Sequence, residues 1–305
     1  MNLSKLQITV VTGAITLLIL LVVLNSMGYT VPTTKKGQPT EDNPADFLTE
    51  EIVLADARNT LDSSQTAWLT YLDQEKAQAA TIEEEAEVLK LISRTWYENG
   101  NYLASGYYAK KVAELLQTGD AWSIAGTTYA AAFNAGQKND IKKLAAQKAI
   151  EALGKAKALQ PDSLQHRINE GLMYLELSSV DARVMPMKGV RLLQDLDKEF
   201  PNNVRVNMTL GRLSATRSGD LAKAKPRFEK VLEIAQTKPV AEEILLEAHY
   251  FLIDCYKQEE NSEKVLYHYN KMDELSAGQP AVQAQMKRAK EQYLDRLQQK
   301  NNLNN

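Results

Sequence analysis

The stretch VRVNMTLGRLSATRSGDLAKAKPRFEKVLEIA, Val204 to Ala235, decides the fold. Leu210 and Leu213, with the small Gly211 beside them, fall on one stripe of a first helix. Ala224, Phe228, Val231 and Ile234 fall on one stripe of a second, at steps of three and four residues. Gly219-Asp220 joins the two: Gly tolerates a left-handed turn, and the Asp carboxylate accepts from free amides at the next helix start. Helices joined so tightly must face each other. Gly211 and Ala224 are small where the axes cross most closely, and Phe228 offers a large body whose burial is worth roughly 1.5 to 3 kcal/mol. The hairpin still leaves an apolar outer face, so neighbours stacked on both sides are predicted.

The same pattern recurs with variations. Leu89, Ile92, Ser93 and Trp96 lead through Gly100-Asn101-Tyr102 to Ser105, Tyr108 and Val112. Trp122, Gly126 and Tyr129 are answered by Ala149, Leu153, Ala156, Leu159 and Pro161, with an insertion at Gly136 to Asp140. Gly171 and Tyr174 are answered by Gly189, Leu193, Leu196, Phe200 and Pro201, with a second insertion at Ser178 to Met185. A fifth unit runs from His249, Leu252 and Tyr256 through Asn261 to Val265, Tyr269, Met272 and Leu275, and Ala281 to Gln298 reads as a polar closing helix. A period of roughly 34 residues with these small and aromatic positions resembles the tetratricopeptide repeat. The resemblance covers about Glu87 to Leu275. It departs from the family at Glu170, where Leu is usual, and at Ile253, where Gly is usual.

The expected architecture is therefore all-α: an α-solenoid of antiparallel helix pairs preceded by one transmembrane helix. The apolar run Ile8 to Leu24 holds twelve Ile, Leu and Val residues, and no charge occurs between Lys5 and Lys35. Such a run favours membrane insertion by about 5 kcal/mol and, extended through Met27, reaches the roughly 20 residues that span a bilayer. The alternative is a signal peptide cleaved near Ser26-Met27-Gly28, but the run exceeds the usual apolar region of one. The expected divisions are an anchor over 1–28, a Pro- and Lys-containing linker over 29–43, a helical segment over 44–86, repeats over 87–278 and a capping helix and tail over 279–305. Within 44–86, Asn43-Pro44 is expected to start a helix carrying Phe47, Ile52, Leu54 and Leu61. Ser64 to Ala79 should form a second, and Thr81 with Glu84 a capping box opening a third. Lys35 and Lys36 lie some way past the apolar run, so the amino terminus is expected in the cytoplasm and the body outside it, periplasmic in an enveloped cell.

Composition excludes several functions. A net charge of -3 gives no footprint for nucleic acid, though acids dominate Glu41 to Leu89 and bases dominate Arg183 to Lys238. Cys255 is the single cysteine, so no internal disulfide can form. His166, His249 and His268 are far apart in sequence and show no metal-ligand spacing, and no phosphate loop or nucleophile motif occurs. The glutamates Glu83, Glu84, Glu85 and Glu87 read as a solvated helix start, and Asn207-Met208-Thr209 as a chance glycosylation match inside a helix. Trp96, Tyr129, Tyr174 and Tyr256 recur at one position and read as core. No enzyme, cofactor or metal is expected.

The family resemblance places the binding surface on the concave side, lined by the first helix of each pair. It implies Lys90, Arg94, Tyr97, Asn169, Arg205, Arg212, Tyr250 and Asp254 as the groove. Lys90 matches a position that clamps a chaperone's terminal carboxylate in the family, but Arg94 and Ile124 replace the other clamp residues, so that ligand is not expected. A scaffold for a partner protein or peptide is, with assistance to envelope assembly or secretion as its setting. The rivals are a small-ligand receptor or enzyme with its pocket in the two insertions, and a homo-oligomer joining the acidic segment of one copy to the basic segment of another.

Overall fold

The computed structural model describes residues 48–303, which form thirteen α-helices and, among the described residues, no strand. The anchor and linker, the Asn43-Pro44 start and Phe47 lie outside the described residues. In chain order the helices are α1 (Glu50–Asn59), α2 (Ser63–Gln78), α3 (Ile82–Glu98), α4 (Tyr102–Leu116), α5 (Gly119–Ala135), α6 (Asn139–Leu159) and α7 (Leu164–Val180). There follow α8 (Met187–Glu199), α9 (Val204–Arg212), α10 (Leu221–Ala235), α11 (Glu242–Gln258), α12 (Ser262–Leu275) and α13 (Pro280–Leu303). Among the described residues no helix is long and apolar enough to cross a membrane.

Five hairpins, α3/α4, α5/α6, α7/α8, α9/α10 and α11/α12, stack in order, with α2 packed on α3 at one end and α13 on α12 at the other. Side chains explain the close crossings. Ser93 Oγ donates to the Ser105 carbonyl at 2.9 Å, joining α3 to α4 through two small residues. A Cβ on Gly189 would come within 2.5 Å of the Gly171 carbonyl, and one on Gly211 within 2.7 Å of the Phe228 ring, so both crossings need glycine. Ala224, Phe228 and Val231 are fully buried, as their spacing predicts, and Gly219 takes φ +65° ahead of Asp220, which accepts from Lys223 N at 3.0 Å. Met208 of α9 belongs to the core of α10 to α13, whereas Val206 packs with α7 and α8, so α9 joins two clusters.

Local signals place several helix starts. Asp62 and Gln65 form a reciprocal capping box ahead of α2. Thr81 accepts from Glu84 N at 3.1 Å, but the Glu84 carboxylate reaches back one residue further than a capping box requires, to Ala80 N at 2.8 Å.

The structure corrects the expected layout at several points. Leu48 and Thr49 are not helical; the helix holding Ile52 is capped by Thr49 and ends before Leu61. The residues expected as a loop at Gly136 to Asp140 instead form a turn of three, because Asn139 and Asp140 join α6 and lengthen it to 21 residues. Likewise Ser178 to Val180 continue α7, leaving a loop only from Asp181 to Pro186. Its Asp181 is buried and bonded to Arg183, which holds the carboxyl down at about 2. Past Arg212 the first helix widens into a π turn, Leu213–Arg217, yet Leu213 stays half-buried against the same cluster as Leu210. Leu159 is about half exposed at the end of α6, not core. Tyr174 is only partly covered, and Lys188 Nζ donates to its hydroxyl at 2.5 Å; Trp96, Tyr129 and Tyr256 are buried as expected.

Candidate partner-binding face

The first helices α7, α9 and α11 bring part of the expected groove together. The Arg205 guanidinium donates to Gln165 Oε1, and Gln165 Nε2 donates to Asn169 Oδ1 at 2.5 Å, linking α9 to α7. Arg212 forms a bidentate pair with Glu247, linking α9 to α11. Arg217, in the π turn, reaches Glu176 at 3.0 Å and the Leu175 carbonyl at 2.7 Å on α7. Tyr250 and Asp254 lie one and two turns along α11 from Glu247; Lys257 donates to Asp254 at 3.4 Å, and burial pushes the Tyr250 phenol up. These side chains define one face, cross-braced from helix to helix.

Lys90, Arg94 and Tyr97 form a separate group on α3. Lys90 pairs with Glu87 at 2.6 Å and Arg94 with Glu98 at 2.7 Å, both along the exposed side of α3. Such pairs contribute roughly 0.3 to 0.5 kcal/mol, so either cation exchanges its partner at little cost. Tyr97 is 48% exposed, its ring edge-on to Tyr102 at 4.8 Å. Leu91 on α3, at 47%, and Ile124 on α5, at 62%, are likewise exposed.

Sequence reasoning missed the partners that brace the face: Gln165, Glu176, Arg217 and Glu247. A signal was present, since Arg212 and Glu247 are 35 residues apart, about one repeat, and carry opposite charge. It also missed a buried contact between two histidines expected to be independent. His249 Nδ1 and His268 Nδ1 are 2.7 Å apart between α11 and α12, so one must donate and the other accept. Burial holds both down at about 4, which keeps them neutral at pH 7. Among the described residues no group of three or more His, Cys, Asp or Glu could hold a metal. The Cys255 thiol is buried and pushed up to about 11, so it remains protonated.

Two further features lie away from this face. Glu50, 4% exposed at the start of α1, accepts from Lys110 Nζ of α4 at 2.5 Å, from Tyr129 of α5, and lies 3.4 Å from Lys148 Nζ of α6. At the turn end of the first two hairpins, beside the α1–α2 connection, is an open cleft of about 410 Å³.

The molecule is thus a stack of antiparallel helix pairs with a braced first-helix face. No protein-family model matches the chain, and no curated protein matches it. Solved structures similar to it include MamA 41-end from Desulfovibrio magneticus RS-1, 17% identical, covering 64% of this chain and 96% of that one, with a TM-score of 0.41. A thermophilic TPR protein of Thermus thermophilus, TTC0263, is 17% identical, covers 67% of this chain and 98% of its own, and has a TM-score of 0.45. The fold assignment rests on the helix pairs themselves.

Proposed function

We propose that this chain is a membrane-anchored scaffold of tetratricopeptide type, without catalytic activity of its own, whose first-helix face holds a partner protein or peptide. The observation that supports this reading is the make-up of that face. Bidentate and bridging side chains fix α7, α9 and α11 relative to one another, while Leu91, Tyr97 and Ile124 offer unspent apolar area beside the exchangeable cations Lys90 and Arg94. A rigid frame with apolar anchors and weakly paired charge is what an extended peptide or a helix needs, because little ordering cost remains at binding. The apolar run Ile8 to Leu24 would hold this face near a membrane, outside the cytoplasm, where assistance to assembly or secretion of envelope proteins is the natural use.

The test is photocrosslinking in native membranes, with the reactive residue at Tyr97 and, as a control, at Lys290 on α13. A discrete partner captured from Tyr97 and absent from Lys290 is the expected result. Equal yields from both positions, or capture of lipid alone, would remove the first-helix face from the account.

A further inference from the structure

The connection between α7 and α8 presents two thioethers to solvent, away from the residues of the partner face. Met173, Met208, Met272 and Met286 are buried, whereas Met185 is 70% and Met187 45% exposed. A proline separates the pair in the stretch Val184-Met185-Pro186-Met187-Lys188. Both ends of this stretch are fixed. On one side the buried Asp181 carboxylate accepts from Arg183 N at 3.1 Å and from the Arg183 guanidinium at 3.0 Å. The Asp181 carbonyl accepts from Val184 N at 3.0 Å, and Val184 packs on the core shared by α5, α6 and α7. On the other side Lys188 holds the Tyr174 hydroxyl. The two methionines are thus exposed by an anchored turn, with no local unfolding required.

An exposed thioether is a nucleophile toward hydrogen peroxide. A sulfur lone pair bonds one peroxide oxygen, the O–O bond breaks, and the proton of the transferred hydroxyl leaves with the departing hydroxide as water. The sulfur is oxidised by two electrons to a sulfoxide, and the peroxide is reduced. A thioether has no proton to lose, so no neighbouring base is needed. The competing thiol is withheld: Cys255 is buried, and burial pushes it up to about 11, which leaves little of the reactive thiolate. A sulfoxide oxygen in the core would have to find a partner, but at Met185 and Met187 it meets water. It also lies beside the start of α8, where Pro186 supplies no side-chain cap and an added acceptor is favoured by the free amides and positive helix end.

We propose that Met185 and Met187 form a reversible sulfoxidation site for hydrogen peroxide, turning an apolar patch at the start of α8 into a hydrogen-bond-accepting one while the fold stays intact. The site is independent of the first-helix face and of whatever partner that face holds.

The full chain in detergent is treated with hydrogen peroxide, and oxygen uptake is followed in tryptic peptides by mass spectrometry. Val184–Lys188, released by cleavage after Arg183 and Lys188, carries both methionines. It should gain oxygen at least about tenfold faster than the peptides holding Met173, Met208, Met272 and Met286, and this lead should vanish in guanidinium, where burial is lost. The chain oxidised at Met185 and Met187 should keep its thermal midpoint. A pair of methionine sulfoxide reductases, one for each sulfoxide epimer, with a thiol reductant, should return Val184–Lys188 to its original mass. Equal rates across these peptides in the folded chain, a lead that persists in guanidinium, a lowered midpoint after oxidation at the pair, or a sulfoxide the reductases cannot remove would each overturn the proposal.

Discussion

Phe228 meets Gly211 at the α9/α10 crossing with no room for a single added methyl, and Ala224 is fully buried on the same helix one turn earlier. Ala224→Leu should therefore overpack the crossing and cost roughly 1 to 3 kcal/mol, read as a lowered denaturation midpoint with unchanged slope. Titration gives a second expectation at this scale. His249 and His268 each fall from 6.5 in the unfolded chain to about 4 in the fold. A histidine with a depressed folded pKa lets the unfolded chain bind the proton first, so stability is full above 6.5 and is lost as pH falls toward 4. Lys271 and Lys264 work in the same direction, and Glu274 against it. Thermal midpoints should decline between pH 6.5 and 4, and a His249→Gln, His268→Gln double variant should show a flatter decline there. The residues of the Val204 to Ala235 hairpin were legible because small, large and turn positions each have one physical job. The histidine pair was not, because nothing in the spacing of 19 residues announces which turns of two helices will meet.

Among the elements, α1 differs from the rest in how it is held. It packs mainly on α4, meeting its sequence neighbour α2 through the Arg58–Asp73 pair and Ala57, and its one buried carboxylate engages three other helices. Glu50→Ala would leave Lys110, Lys148 and the Tyr129 hydroxyl facing an empty acceptor; about 3 kcal/mol is expected, the low end for a broken buried pair, since both ammonium groups keep some solvent. Hydrogen exchange in α1 should then accelerate while that in α9 and α10 stays unchanged; uniform acceleration would mean that α1 is integral to the whole stack. Periodicity could find α1 as a helix but not its dock, because the ion pair spans 60 residues. The two insertions were misread for a related reason. Extra residues after Gly136 carry helix-forming Lys, Leu, Ala and Gln, and extending α6 satisfies their backbone groups where a loop would leave them to water. The π turn Leu213–Arg217 has no single-sequence signature either; it sets Arg217 against Glu176 and the Leu175 carbonyl.

For the molecule as a whole, the seam between α8 and α9 is the thinnest junction, and side chains bridge it on both faces. Arg227 holds Asp197 across α10 and α8, while Arg217 holds Glu176 across the π turn and α7. Replacing both arginines by Ala should cost only roughly 1 kcal/mol but split unfolding into two steps, so that calorimetric and van't Hoff enthalpies no longer agree. Stacking itself was legible, since every hairpin in the sequence has an apolar outer face that needs a neighbour. Which side chains brace the stack was legible only at repeat distance, as with Arg212 and Glu247. The binding-face account is tested most directly by extending the crosslinking to a scan along both helix layers. Photoreactive residues would be placed at Lys90, Tyr97, Asn169, Arg205 and Tyr250 of the first helices, and at Lys111, Lys155, Lys198 and Lys230 of the second. Capture of one and the same partner from the first set, with none from the second, is the predicted result; a partner taken mainly from the second set would contradict the account.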